Sequence, residues 1–297
     1  MYLSATIINT VAISFPFASM IMYSRLLLMI FCFKTIKKAP ELSLFYCKFV
    51  FDLIISVISF LKMVTYALAM IPSFLDIFNV NHWFTFLVIW LICLLSSLRA
   101  ILLFFIALDR TCATYLPIIF FKYRKLIPTF LIIALVLSYS LIDTSVAFLI
   151  CGVNLNTPTI CVNGLCVLGA CYQNYWLEFQ KYIYSLIIVF TLMLVLKLFI
   201  WNRYKKQNVS KDLRRANRLA LIDSCILIIF DFLPPILHTS FPDFFDYVGA
   251  INSVSQTLGF VVESYLVTVN LKQKYELKKV TTSAKTMYPS TITSENK

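Results

Sequence analysis

Charged residues, glycine and histidine are all scarce in this sequence, and each shortage excludes a class of protein. Only 13% of the 297 residues are charged, whereas a soluble domain carries about a quarter. With five glycines there is no glycine-rich linker to a second domain. The two histidines do not combine with the acids into a zinc-binding or nucleophilic motif. We therefore expect neither an enzyme nor a bound metal or cofactor.

Hydrophobic residues take the place of the missing charges, at 60% of the chain. A helix needs about 20 apolar residues to cross a bilayer, so the length admits seven spans with loops but not twelve. Apolar runs without a polar face predict spanning helices, hence an all-α, seven-transmembrane bundle over residues 1–270. Residues 271–297 form a tail in which "LKQKYELKK" predicts a short amphipathic helix. The seven runs are Ser4–Phe33, Leu42–Ala69, Trp83–Ala107, Ile127–Ile150, Tyr182–Ile200, Leu219–Leu237 and Tyr247–Val269.

The formal net charge of +12 does not indicate nucleic-acid binding, because the basic residues lie in short segments between apolar runs. Most of the 26 lysines and arginines follow the first, third, fifth and seventh runs, and the alternate connections carry almost none. The positive-inside rule places the basic set in the cytosol. The sequence therefore predicts an amino terminus outside the cell, a cytosolic carboxyl terminus, contact of the basic loops with membrane lipid, and no nucleic-acid partner.

Four cysteines share the connection after the fourth run, on the predicted outer face: Cys151, Cys161, Cys166 and Cys171. That face matures in an oxidising compartment, where disulfides persist. Two disulfides are the favoured interpretation, and four cysteines allow three pairings that the sequence leaves open. A zinc site is the alternative, but the cysteines lack a tight C-x-x-C pair.

Three ionisable residues within the apolar runs predict a polar centre. Asp52 lies about ten residues into the second run and Arg99 about ten residues before Asp109, so both sit roughly 15 Å deep. Glu263 lies at a comparable level of the seventh run, roughly 10 Å deep. Buried charges in a membrane are costly unless they are paired. We expect an intramembrane network of the three that ties the second, third and seventh helices.

The other intramembrane charges divide by depth. Arg25, Lys48 and Lys197 lie close enough to the predicted cytosolic face to extend their charged ends toward water. Asp143 and Asp231 lie in the predicted outer halves of the fourth and sixth helices, where a ligand pocket would open. The alternative for Asp231 is that the prolines after it only bend the sixth helix.

The stretch "FFIALDRTCATYLP" ends the third apolar run with an adjacent acid and arginine, Asp109 and Arg110. It resembles the acid–arginine pair of rhodopsin-like receptors. The resemblance implies that Asp109 holds Arg110 in the inactive state, with Asp223 as a second partner, and that release of the arginine permits G-protein coupling. The chain departs from that wider pattern at Thr111, in lacking an NPxxY motif, and in lacking a cysteine at the outer start of the third helix.

Four stretches carry a closer likeness: "LSLFYCKFVFD", "ALDRTCATYLPIIFFKYRKLIP", "CVNGLCVLGACYQNYW" and "RRANRLALIDSCILIIFDFLPP". They resemble the nematode serpentine chemoreceptors of class BC. The resemblance implies a rhodopsin-like chemosensory receptor in the plasma membrane of a sensory neuron, in its cilium, with a small-molecule ligand and a heterotrimeric G protein as partners. A ligand-gated channel or a transporter that uses the buried charges is the alternative function.

Overall fold

Long helices build the computed structural model, which describes residues 2–33, 42–69, 82–123, 128–153, 164–204, 211–234, 237 and 254–271. The tail after residue 271 lies outside these ranges, and with it the predicted amphipathic helix. The helices are α1 Tyr2–Phe31, α2 Ser43–Ala69, α3 His82–Tyr115, α4 Pro117–Tyr123, α5 Thr129–Ser145, α6 Gly164–Tyr204, α7 Lys211–Ile226 and α8 254–271.

Three helices extend well beyond the apolar runs that predict them. The third continues from Ala107 to Tyr115, and a single non-helical residue then separates it from α4. The helix of the fifth apolar run, α6, begins at Gly164 rather than near Tyr182. The helix of the sixth run, α7, begins at Lys211 rather than near Leu219. Polar turns satisfy their backbone hydrogen bonds within the helix as well as apolar turns do. Hydrophobicity therefore marks the part of a helix that lies in lipid and not its whole length.

Two helices end in π-helical turns. Val146–Ile150 continues α5, and Leu227–Phe232 continues α7 up to Leu233 and Pro234. A π turn takes up one extra residue and shifts the faces of the helix beyond it. Proline removes a backbone donor, so the sequence predicts a bend near Pro234. The structure puts the irregular turn just before that proline.

The third helix is the centre of the bundle. It packs against α2, α5, α6 and α7, and 56% of its most apolar segment is buried, compared with 17% for α5. The main apolar core joins α1, α2, α3, α7 and α8 through residues such as Tyr23, Phe49, Leu98, Leu219 and Phe260. A helix in contact with most of the others can position several of their side chains around its own.

Large apolar side chains cover the outer surface of the bundle. Phe130, Leu141 and Leu149 on the fourth spanning segment are 77%, 71% and 82% exposed. An apolar surface of this extent requires lipid around it. By length and composition, five of the described helices can cross a membrane: Val11–Phe31, Ser43–Thr65, Trp83–Tyr115, Thr129–Ile150 and Leu168–Ile200. The structure is therefore that of an all-helical membrane protein.

Candidate functional site

Arg99 lies at the middle of α3 and binds three acids on three other helices. Its Nε donates to Asp52 Oδ1 on α2 at 2.7 Å, Nη1 to Asp231 Oδ2 at 3.1 Å, and Nη2 to Glu263 Oε2 on α8 at 3.0 Å. The side chain is 4% exposed. A guanidinium offers donors in fixed, diverging directions, which a lysine does not. One residue thus holds α2, α7 and α8 around α3.

Lys48 is a second buried cation in the same place. Its Nζ donates to Asp52 Oδ2 at 2.8 Å and to Glu263 Oε1, and lies 3.6 Å from Asp223 Oδ2. The expectation that Lys48 reaches toward water is wrong, because its side chain is fully buried. Residues four apart share a helix face, so the face that turns Asp52 to Arg99 also turns Lys48 inward.

These six residues form what we call the charge cluster: Lys48, Asp52, Arg99, Asp223, Asp231 and Glu263. It contains the three residues that the sequence analysis assigns to a network, and three more. Four carboxyl groups face two cations, so the acids outnumber the bases in the charge cluster. The Phe260 ring lies 4.7 Å from the Arg99 guanidinium carbon and adds a cation–π contact.

Asp223 is the least satisfied acid of the charge cluster. Within the described residues neither of its oxygens has a hydrogen-bond partner, and one oxygen of Asp231 also lacks one. Beside Asp223 is a cavity of about 10 Å³ between α3, α6 and α7, with Leu103, Ile187 and Ser224 in its wall. That is close to the smallest volume that holds a water molecule. The carboxyl group with the fewest hydrogen-bond partners therefore lies on α7, next to a space of water size.

The π turn of α7 explains why both of its acids reach the charge cluster. Residues eight apart on a regular α-helix point roughly 80° away from each other, at 3.6 residues per turn. Asp223 and Asp231 have that spacing. The π turn Leu227–Phe232 begins after Asp223 and includes Asp231. One extra residue in the turn reduces the divergence to roughly 20°. The irregular backbone thus places both carboxylates on the face toward α3.

Asp109 and Arg110 form a separate pair near the end of α3 at Tyr115. Arg110 Nε donates to Asp109 Oδ2 at 3.1 Å, Nη2 donates to the same oxygen, and both side chains are buried. The structure places Asp223 in the charge cluster, beside Lys48, and does not bring it into contact with Arg110. Asp223 lies six residues, more than a helical turn, beyond Asn217, which contacts Thr114 on α3.

Other polar contacts join α3 to its neighbours around Arg110. Thr114 Oγ1 accepts a bond of 3.5 Å from Asn217 Nδ2 on α7. Thr111 Oγ1 donates to the Phe190 carbonyl at 3.1 Å, and Tyr115 Oη to the Met193 carbonyl at 3.0 Å, both on α6. Arg110 Nη1 is buried without a hydrogen-bond partner among the described residues. The arginine thus lies between two helices that are tied to α3 by neutral groups.

Asp143 lies in a different interface from Asp231. Its Oδ2 accepts a bond of 2.7 Å from Tyr172 Oη, and the residue is fully buried between α5 and α6. Its Oδ1 has no hydrogen-bond partner in the described part of the chain. The two acids expected near a pocket are therefore separated. Asp231 binds Arg99, and Asp143 binds a tyrosine beneath the disulfide.

The disulfide joins Cys151 to Cys171 and ties the end of α5 to α6. Cys151 packs in the same cluster as Phe86 and Trp90 of α3, so we call this the disulfide end of the bundle. Gly169 precedes Cys171 with φ of 76° and ψ of 156°, a conformation that L residues rarely adopt. Cys161 and the side chain of Cys166 lie outside the described residues, so the second disulfide stays a prediction.

Metal chemistry gains no support from the part of the chain that the structure describes. No group of three or more histidine, cysteine or acidic side chains there is arranged to hold an ion. The acids of the charge cluster point to Lys48 and Arg99 instead.

Lys48 and Asn217 complete the polar contacts of α3, and the sequence contains a sign of this role for only one of them. Lys48 precedes Asp52 by four residues, whereas nothing in the sequence pairs Asn217 with Thr114.

One family matches nearly the whole chain. It is the serpentine-type seven-transmembrane GPCR chemoreceptor family Srbc, and the match covers residues 1–275. The chain belongs to this family. Its buried charge cluster, its Asp109–Arg110 pair and its disulfide are thus features of an Srbc chemoreceptor, a class of protein that is not an enzyme. No curated protein matches the chain.

Proposed function

We propose that this Srbc protein is a chemosensory receptor that binds a small molecule from outside the cell and activates a heterotrimeric G protein. Its amino terminus is outside and its carboxyl terminus cytosolic, as the basic loops imply. The disulfide end then faces the exterior, where disulfides form. The nematode class BC resemblance adds the plasma membrane of a sensory-neuron cilium as its location.

The placement of Arg110 carries this proposal. It is a buried guanidinium at the opposite end of α3 from the disulfide, held by Asp109, with one nitrogen that lacks a hydrogen-bond partner among the described residues. In a family of GPCR chemoreceptors, an arginine so placed is suited to exchange its internal partner for a group on a G protein. Thr114 and Asn217 keep α7 against α3 at this level, and their bond of 3.5 Å is easily broken.

The charge cluster is suited to couple the two ends. Asp231 lies in the π turn of α7, toward the disulfide end, and Asn217 lies on the same helix toward Arg110. Two discrete arrangements of a packed polar network can be biased by a distant ligand. Rotation of α7 would change its contacts with Arg99 and Lys48 and with Thr114 together. The coupling therefore requires no movement of α3.

The ligand pocket is assigned to the disulfide end, with Asp143 and Asp231 as the acids on either side of it. Tyr172, Tyr175 and Trp176 line the start of α6 there. Aromatic rings with a buried acid favour an apolar or amphipathic small molecule that carries one polar group. Binding of such a ligand would change the contact of Asp231 with Arg99 and that of Asp143 with Tyr172.

The test is a G-protein activation assay in cells that express wild type or Arg110→Ala at matched surface levels. The stimuli are a panel of volatile and water-soluble compounds, and ligand-independent activity is recorded in the same cells. Lys181→Ala is the matched control, because it removes an exposed cation at the disulfide end. We expect responses that need Arg110 and survive the control substitution. Full signalling by Arg110→Ala would contradict the role of the pair.

A channel or transporter that uses the buried charges is the competing function. Recordings of membrane current, made with the same compounds and with G-protein signalling blocked, separate the two. A ligand-gated current that persists under the block, and that Asp52→Asn abolishes, would favour the channel.

A further inference from the structure

A groove between α1 and α2 on the outer surface of the bundle contains an arginine, Arg25, among apolar side chains. Its volume is about 660 Å³, in the range of about 300–1,000 Å³ that is usual for clefts that hold small molecules. Its walls are apolar apart from Ser24 and Arg25, and include Met20, Leu28 and Val57. Because the groove lies on the outer surface between two spanning segments, it is accessible to lipid.

Among the described residues in the wall of this groove, only Arg25 is charged. It is exposed, and no other described residue donates to, accepts from or forms an ion pair with its guanidinium. It lies six residues before the end of α1 at Phe31, so roughly 9 Å along the helix axis. A cation within hydrocarbon is costly unless an anion or water meets it. The side chain is long enough to reach the level of lipid phosphates.

We propose that the α1–α2 groove binds an anionic phospholipid, with its phosphate on Arg25 and an acyl chain along Leu28 and Val57. Charge complementarity selects this occupant, because a guanidinium pairs with phosphate through two parallel hydrogen bonds. A second copy of the chain fits poorly. A symmetric contact through this groove would bring two Arg25 side chains together in a medium that screens charge weakly.

The basic residues of the loops also attract anionic lipid, so the test isolates Arg25. The purified full-length receptor is given equal amounts of phosphatidylserine and phosphatidylcholine, and bound lipids are counted by native mass spectrometry. Four proteins are compared: wild type, Arg25→Gln, Arg25→Lys and Lys197→Gln. Lys197 is the control because it is a membrane-level cation that already lies 5.1 Å from the Tyr115 ring. A fifth protein, Val57→Trp, narrows the groove without changing its charge.

We expect wild type and Lys197→Gln to prefer phosphatidylserine equally. Arg25→Gln should reduce the serine-to-choline lipid ratio about fivefold, the contribution of one basic side chain at an anionic lipid surface. Arg25→Lys should keep part of the preference, and Val57→Trp should lower the number of both lipids bound. An unchanged ratio in Arg25→Gln overturns the proposal. A wild-type dimer that Val57→Trp dissociates also overturns it, and assigns the groove to a second copy of the chain.

Discussion

Arg99 Nε and Asp52 Oδ1 lie 2.7 Å apart, with the arginine side chain 4% exposed and the aspartate fully buried. The contact joins the central helix α3 to α2 at the level where the sequence places both residues. It does not stand alone, because Asp52 also binds Lys48 and Arg99 also binds Asp231 and Glu263. Substitutions of these residues should therefore show the behaviour of a network and not of a single pair.

Replacement of Arg99 by methionine should prevent delivery of the receptor to the cell surface. It leaves three buried acids without their shared donor, and breaking a buried ion pair from one side costs about 3–5 kcal/mol. Arg99→Lys keeps the charge without the diverging donors and should recover part of the loss. Surface labelling and thermal unfolding in detergent measure both. The double substitution Arg99→Asp, Asp52→Arg exchanges the two charges and should restore little of the surface delivery. Full recovery of surface delivery would show that Asp231 and Glu263 contribute nothing.

Asp223→Asn and Asp52→Asn should have opposite outcomes although they are the same chemical change. Asp52 accepts hydrogen bonds from both cations, so its loss should cost about 3 kcal/mol or more. Asp223 accepts no hydrogen bond from a described residue, and its removal lessens the excess of carboxylates. We expect Asp223→Asn to leave the midpoint of thermal unfolding unchanged or to raise it. A fall as large as that of Asp52→Asn would show that the contact between Asp223 and Lys48 is essential.

Loss of the Cys151–Cys171 disulfide should lower the free energy of unfolding by about 3 kcal/mol. The two cysteines are 20 residues apart, and the gain from a crosslink grows slowly with the size of its loop. The measurement compares thermal unfolding of wild type with that of Cys151→Ser, Cys171→Ser, with and without reductant. Peptide mapping under non-reducing conditions should recover Cys151 joined to Cys171. A peptide that joins either residue to Cys161 or Cys166 would contradict the observed pairing.

Gly259→Ala should disturb the charge cluster from a distance. A Cβ on Gly259 would lie 2.8 Å from the Cβ of Phe230, which directly precedes Asp231 within the π turn. Ser255 also donates to the Phe230 carbonyl at 3.1 Å, so α8 is closely fitted to this turn. We expect a cost of about 1–3 kcal/mol, as for other overpacked sites, measured as a lower unfolding temperature. Val269→Ala, on the exposed face of the same helix, is the control and should change little.

The similar depth of Asp52 and Arg99 in the membrane could be predicted, because the rise along a helix is a property of the backbone. The direction of each side chain could not. Lys48 has the sequence context of a residue that reaches for water, yet it is fully buried. Its environment depends on the rotation of α2 about its axis, which is decided by the residues of α1, α3 and α8 that pack against it.

The sequence is enough to identify a helical membrane protein, since too few charges are present for a soluble surface and the apolar runs have the length of a bilayer. It also determined which residues are costly to bury. The partners of these residues depend on how the helices pack. Asp223 and Asp231 meet Lys48 and Arg99 because a π turn realigns α7 and because α2, α7 and α8 converge on α3. Such contacts depend on helix rotation and local irregularity, which hydrophobic periodicity does not encode.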